Sequence, residues 1–397
     1  MIEFNQLLHY WGRSCHNAVV DIDLQREVVL NKNNDRAGHR NITTSEIARL
    51  SGVSRSTVSA VLNGKRSVRE STRVKVLTCI RQQKYASGLI ARTLVGELSR
   101  MVAVLAPNIG SPFHMMVFRG INEVLEAHGY HILFHNVRPE DQPDPETMAS
   151  LHAYRPAGYI ILKGAEGPAG EHAREIAAQS VPLVCHGWVD SVQAHAVNFD
   201  NRAGMRLATD YVIGQGHRRL AHIAGPTFSR GAKERKLGFI ESLIAHDIRM
   251  SDAIIADSGE TPAAGYQVAL QVLENPMTRP TALLCFNDMV AMGVYRAAHE
   301  LSLDIPRDLS VVGFDGIDFA ELLGPPLTTV NIFPHEVGRQ AAQLLVRAIK
   351  NQVGRGFETE WIQPRLLERA SVRRLSAYPG LTSPAEDRGL ERETVCP

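Results

Sequence analysis

The stretch that most constrains this chain is TTSEIARLSGVSRSTVSAVLN, Thr43 to Asn63, which reads as two short helices broken at Ser51-Gly52-Val53. Thr43 and Glu46, three residues apart, form a capping box that satisfies free amide donors and starts the first helix. Ile47, Ala48 and Leu50 are its apolar positions. Gly52 allows the positive φ of a tight exit, and Ser54 caps a second helix from Arg55 to about Asn63. Val58, Val61 and Leu62 give that helix an apolar face, leaving Arg55, Ser56, Ser59 and Ala60 outward. Two such helices, the second polar at its start, have the geometry that places a helix in the DNA major groove. A third helix follows from about Glu70 to Lys84, with Val76, Leu77 and Ile80 inward.

A helical hairpin of this kind also occurs in ordinary cores, and charge separates the two readings. Residues 41–100 carry eleven Lys/Arg against three Asp/Glu, a net of +8. The whole chain is only +1, so the remainder carries −7, from 32 basic and 39 acidic residues. A basic segment on an otherwise acidic chain is the footprint of a DNA-binding module attached to something else.

That remainder is large. At 397 residues, two or three domains are expected, and a 44% hydrophobic content is enough for a sizeable core. The five cysteines, Cys15, Cys79, Cys185, Cys285 and Cys396, are odd in number and lack any C-x-x-C pair. That pattern argues against a disulfide framework or zinc site and suits a reducing cytoplasm. No run approaches 18 apolar residues and no basic-apolar leader opens the chain, so neither a membrane span nor secretion is expected.

From Met101 the pattern changes. MVAVLAP, YHILFH, GYIILK and VPLVC alternate with helical stretches, the first through Phe118 to His128. After Phe199 the alternation begins again. Helical stretches Ala203–Gly214, Phe239–Ala245, Ala264–Leu273 and Ala291–Leu301 interleave with LAHIAG, AIIAD, TALLCF and SVVGF. Short apolar runs with helical crossovers are buried parallel strands of a doubly wound sheet, and two series in tandem imply two similar α/β lobes. Ligands of such sheets bind beyond the carboxyl ends of the strands.

The fold class is therefore α/β, a helix-turn-helix headpiece ahead of a two-lobed core of doubly wound parallel sheets. Residues 1–40, ending in the polar NKNNDRAGHR, read as an N-terminal extension, disordered or lying before the true start. Residues 41–86 form the headpiece and 87–99 a linker, either an ordinary helix or a segment that folds only on DNA. The core covers 100–375, lobe 1 being about 100–200 and 333–358 and lobe 2 about 201–331 and 360–375. Residues 376–397 read as a disordered tail without leucine heptads.

The motifs, in order, are GVSRSTVSAVLNG, IARTL, GQGHRRLAHIAGP, KERKLGF, FNDMVAMG, SVVGFDGIDFAELLGPPLTTV and PRLLERASV. As a set, from about Ile42 to Val372, they resemble the lactose-repressor (LacI/GalR) family of bacterial transcription regulators. That resemblance implies a headpiece, a hinge helix ordered on DNA, and an effector core similar to periplasmic sugar-binding proteins. It also implies a homodimer on a palindromic double-stranded operator, with no cofactor. Arg55 and Ser56 match the family's base-reading pair, with Ser59 and Ala60 one turn later. Thr44, Ser54, Thr57, Asn63 and Arg92 match further DNA contacts, and Leu94 matches the hinge leucine that wedges into the minor groove. Ser87 and Gly88 stand where Pro and Asn are usual, and Arg69 replaces the usual cap serine of the third helix.

The same resemblance implies a carbohydrate effector between the lobes. Phe113 and His114, after the first strand, match ring-bearing contacts, and Trp188 matches one after the fourth. Arg235 in KERKLGF matches an arginine that holds a ligand hydroxyl or carboxylate, while Asn287 and Asp315 close strands of lobe 2 and would bond hydroxyls. Rings for stacking with a few planar polar groups suit a sugar or purine. Glu260 departs from the apolar residue usual there. If it faces the cleft it disfavours an anionic ligand; otherwise it is a solvated loop carboxylate.

Two other classes compete. Gly214-Gln215-Gly216 lies at a helix end and fails as a dinucleotide fingerprint, and neither a G-x-S-x-G elbow nor metal-spaced histidines occur, so an enzyme is not expected. A solute-binding receptor for transport explains two lobes but not the +8 segment. The expectation is a cytoplasmic, ligand-controlled repressor.

Overall fold

The computed structural model describes residues 44–62, 68–82, 99–108, 110–137, 145–162, 167–187, 192–353 and 356–375. The extension 1–40, the hinge segment 87–98, the tail 376–397 and the cap residue Thr43 lie outside them.

Three helices form the N-terminal unit: α1 Thr44–Ser51, α2 Arg55–Leu62 and α3 Glu70–Gln82. Gly52 between the first two has φ +63°, and Ser54 Oγ accepts the Thr57 amide at 3.1 Å as the expected cap of α2. Ile47, Ala48, Val58, Val61, Val76, Leu77, Cys79 and Ile80 close a small core of their own. Leu50 does not join it and is 43% exposed. Ile47, Ala48 and Ser51 set the inner face of α1, and at 100° per residue Leu50 falls well off that stripe.

Two six-stranded sheets make up the rest. The first contains β1 Met101–Ala106, β2 His131–Asn136, β3 Gly158–Ile161, β4 Leu183–His186, β5 His195–Phe199 and β11 Thr359–Ile362, in the order β11-β5-β4-β3-β1-β2. The second contains β6 Leu220–Ala224, β7 Ala253–Asp257, β8 Ala282–Cys285, β9 Ser310–Asp315, β10 Thr328–Asn331 and β12 Arg365–Leu367, in the matching order β12-β10-β9-β8-β6-β7. All neighbours pair in parallel except β12, which runs antiparallel to β10. Strands β3, β4, β8 and β9 are buried along their whole length, as expected of parallel strands covered on both faces.

Helices α4 Pro112–Ala127, α5 Pro145–Ala153, α6 Gly167–Ala178 and α11 Pro334–Ile349 belong to the first lobe; α7 Asn201–Gly214, α8 Arg230–Ala245, α9 Pro262–Leu273 and α10 Asp288–Glu300 belong to the second. α4 and α11 cross closely because Gly120 faces the His335 carbonyl and Gly338 faces the Val117 carbonyl, leaving no room for a Cβ. The chain passes between lobes three times, at Phe199–Asn201, Asn331–Pro334 and Ile362–Arg365. The last crossing lies beyond the expected boundary at 358–360, because Thr359–Ile362 pair with Ala196–Phe199 and belong to lobe 1.

Candidate functional site

On the N-terminal unit, Ser54, Arg55, Ser56 and Ser59 are exposed along one side of α2, and Thr57 and Ala60 are half-buried behind them. The Ser54 hydroxyl also bonds Ser56 and Thr57 at 2.8 Å each, so the cap pins the first turn that carries Arg55. Thr44 opens α1 and is half-buried. Asn63, Arg92 and Leu94 lie outside the described residues.

In the core, the carboxyl ends of both sheets face each other across a cleft of about 350 Å³. Phe113, His114, Arg235, Glu260, Asn287 and Asp315 all line it, so six of the seven ligand residues expected from sequence converge from two helices, a helix cap, a loop and a strand end; Trp188 lies outside the described residues. Phe113 and His114 occupy the first turn of α4, their rings 5.3 Å apart and T-shaped. His114 Nδ1 bonds the Asn108 carbonyl at 3.0 Å.

Arg235 is buried in α8 and tightly held. Its Nε donates to Asn201 Oδ1 at 2.8 Å, one amino group donates to the Phe286 carbonyl at 2.5 Å, and the other lies 3.5 Å from the Asp315 carboxylate. Its guanidinium carbon sits 3.8 Å from the Phe314 ring centre and 4.6 Å from that of Phe286. Two aromatic faces and a carboxylate together hold a buried guanidinium whose isolated burial would be costly. Burial pushes the Asp315 carboxyl above its ordinary range, with Asp288 and Glu260 adding to the rise and Arg235 opposing it.

Asp315 ends β9 with φ +113°, a conformation that costs of order 1–3 kcal/mol for a non-glycine residue. Asp288 holds the turn in place. One of its oxygens accepts the Gly316 and Ile317 amides at 2.9 Å each, and the other accepts the Thr329 hydroxyl at 2.5 Å. Burial raises the Asp288 carboxyl to about 6.

Asn287 does not close a strand, as the sequence reading had it. It caps α10, with Oδ1 accepting the Val290 amide at 2.8 Å and Nδ2 donating to the Glu260 carbonyl at 3.3 Å. The cap demands this geometry because the first amides of a helix have no partner of their own. Glu260 is exposed at the cleft mouth, and its carboxylate has no hydrogen bond or ion pair with the described residues.

Sequence reasoning missed His186, Asn201, Phe286, Asp288 and Phe314. His186, at the end of β4, packs between Phe113 (5.7 Å) and Phe199 (5.4 Å), and burial lowers its pKa to about 4. One signal was legible: Asp200, Ser229, Thr261 and Asn287 each follow an apolar run and cap the next helix, so the first turns from which Asn201 and Asp288 arise could have been read.

These features define a class of protein: a helix-turn-helix unit joined to a two-lobed α/β core that holds a small molecule between its lobes. Residues 43–87 match the model of bacterial regulatory proteins of the lacI family, and residues 209–372 match that of a periplasmic binding protein-like domain. The ribose operon repressor of Escherichia coli K12 is 30% identical over 333 residues, covering 83% of this chain and 99% of that protein. The lac repressor dimer bound to operator and the anti-inducer ONPF superimposes with a TM-score of 0.65 at 25% identity, covering 84% of this chain and all of that one. A LacI family regulator from Enterococcus faecium with bound ribose matches at a TM-score of 0.63 and 26% identity, over 70% and 100% of the two chains. The chain belongs to the lacI family of bacterial regulatory proteins. It is a DNA-binding transcription regulator, not an enzyme. Among the described residues no helix is long and apolar enough to cross a membrane.

Proposed function

We propose that the chain is a cytoplasmic repressor that binds a palindromic operator as a homodimer and releases or tightens its hold when a carbohydrate enters the cleft. Residues 41–86 are the DNA-binding headpiece, 87–99 the hinge and 100–375 the effector core. In each protomer α2 lies in a major groove, with Arg55 and Ser56 at base edges and Ser54, Thr57, Ser59, Ala60 and Thr44 around them. Asn63 and Arg92 add contacts, and Leu94 wedges at the operator centre.

The observation that carries this reading is that one chain joins an exposed Arg55-Ser56 face to a cleft lined from both lobes. A ligand touching both lobes favours one relative placement of them and shifts the equilibrium by its differential affinity. Phe113, His114 and Trp188 supply stacking surfaces, and Arg235 and Asp315 orient hydroxyls. Asn287 supports the site through its cap. The E. coli relative is a ribose operon repressor, and the E. faecium structure holds ribose, which supports a sugar as effector.

The test is selection of bound duplexes from a random DNA pool, repeated with sugar pools. A two-fold palindrome with a flexible central step whose recovery changes with sugar is the expected result. Sequence-independent, salt-sensitive binding alone, unaffected by sugar, would overturn the reading.

A further inference from the structure

The charge arrangement of the cleft singles out a ligand class, an inference that rests on the sugar-effector reading above. Arg235 is the one Lys or Arg among the described residues that line the cleft. Its Nε and both amino groups are already engaged by Asn201, Phe286 and Asp315, and the Phe314 and Phe286 rings lie close to its guanidinium. Its charge is also spoken for. With Asp315 ionised, Asp315 and Glu260 outweigh it by one negative charge; with Asp315 protonated, Glu260 alone cancels it. In neither state does the cleft present net positive charge to a ligand.

Helix N-termini at the cleft add little to that balance, since only α4, at Ser111, lacks a side-chain cap. Of the five helices that start at the cleft, α7, α8, α9 and α10 have an N-terminal amide taken by their own cap, from Asp200, Ser229, Thr261 and Asn287 to the amides of Ala203, Ala232, Ala264 and Val290. Anion sites at helix ends depend on those amides being available.

Acceptors, by contrast, are unfilled. The Glu260 carboxylate has no hydrogen bond or ion pair with the described residues, and the Asp315 carboxylate bonds only Arg235. His186 Nδ1 is buried against the cleft without a hydrogen-bond partner. Burial keeps the ring neutral at ordinary pH, so one of its nitrogens is an acceptor rather than a donor. Two carboxylates on one cavity that the protein leaves open call for a ligand rich in O–H donors.

We propose that the effector is a polyhydroxylated molecule without phosphate or carboxylate, its hydroxyls donating to Asp315 and Glu260, and that Glu260 at the mouth is the residue that rejects anionic sugars. A like charge brought up to Glu260 at the cleft mouth is repelled, and the repulsion reads out as weaker binding of the anionic ligand.

The experiment is calorimetric titration of the full chain with matched pairs: ribose and ribose 5-phosphate, glucose and glucose 6-phosphate, and glucose and glucuronate. For any skeleton that binds, the anionic partner is expected to bind at least ~30-fold more weakly. In Glu260→Gln that gap is expected to shrink by about tenfold; Glu260 is exposed, so the exchange leaves the core intact. Equal or tighter binding of an anionic partner overturns the proposal, and an unchanged gap in the variant overturns the role of Glu260. Binding of no member of either arm overturns the underlying sugar reading instead, a distinct outcome.

Discussion

Arg235 Nε donates to Asn201 Oδ1 across 2.8 Å, so the first turn of α7 holds the arginine of α8 that faces the cleft. Both residues are buried, and the bond joins positions 34 apart in the chain. Asn201→Ala leaves a buried charged donor without its acceptor, at a cost of ~1–3 kcal/mol. A lowered urea midpoint together with weaker effector binding is expected. Unchanged binding with lowered stability would mean that Arg235 does not touch the ligand.

Asp288 anchors the strained turn at Asp315 through three donors. Asp288→Ala strands all three and should cost roughly 3 kcal/mol or more, while weakening effector binding as Asp315 relaxes from φ +113°. Asp288→Asn is expected to fall between wild type and alanine. With Oδ1 kept toward the Gly316 and Ile317 amides, its NH2 can donate to the Thr329 hydroxyl oxygen, but the charge that strengthens all three bonds is gone. Chemical denaturation of the three proteins orders them.

Acid should loosen the core through two histidines. His222 lies against Phe239, its Nδ1 bonding the Leu284 carbonyl at 3.1 Å, and burial lowers the pKa of His222 and of His186 to about 4 from 6.5. A lowered folded-state pKa gives stability that is present above pH 6.5 and lost as pH falls toward 4, roughly 3 kcal/mol for each ring. Asp288 and Asp315 run the other way: their raised folded-state values contribute stability at low pH that is lost as pH rises through about 6 for Asp288 and about 8 for Asp315. With the histidines dominant, the urea midpoint should fall between pH 7.5 and pH 5, and less so in His222→Leu. A midpoint that rises on acidification would show the carboxylates dominate.

On the DNA side, Arg55 is exposed at the start of α2. Arg55→Ala is expected to cost ~1 to 3 kcal/mol on the selected operator and to relax base preference at one position per half-site, as loss of a bidentate guanine contact does. Competition binding against single-base operator variants measures it. An equal loss on every variant would place Arg55 on phosphate.

What the sequence determined by itself was whatever short-range periodicity and charge encode. The Ser54 cap, the turn at Gly52 and the Val58-Val61 face are local, and they make the helix-turn-helix readable in twenty residues. Apolar runs of four to six residues announced eight strands of the two lobes. Strands His195–Phe199, Thr328–Asn331, Thr359–Ile362 and Arg365–Leu367 escaped because polar residues break their apolar character. Helix starts were read late for a related reason: α8 begins at Arg230 rather than near Phe239, and its polar first turns carry no apolar period.

Those unread first turns are where the site is built. Family resemblance picked out Arg235 and Asp315, but only the folded chain shows them 3.5 Å apart, with Asn201, Phe286 and Phe314 around the guanidinium. It also decided two open or mistaken assignments, with Glu260 at the cleft mouth and Asn287 serving as a helix cap. The physical reason is range. Periodicity reports which face of an element is buried, whereas a cleft at the carboxyl ends of two sheets depends on strand order and on three crossings between lobes, which bring together residues dozens to hundreds of positions apart.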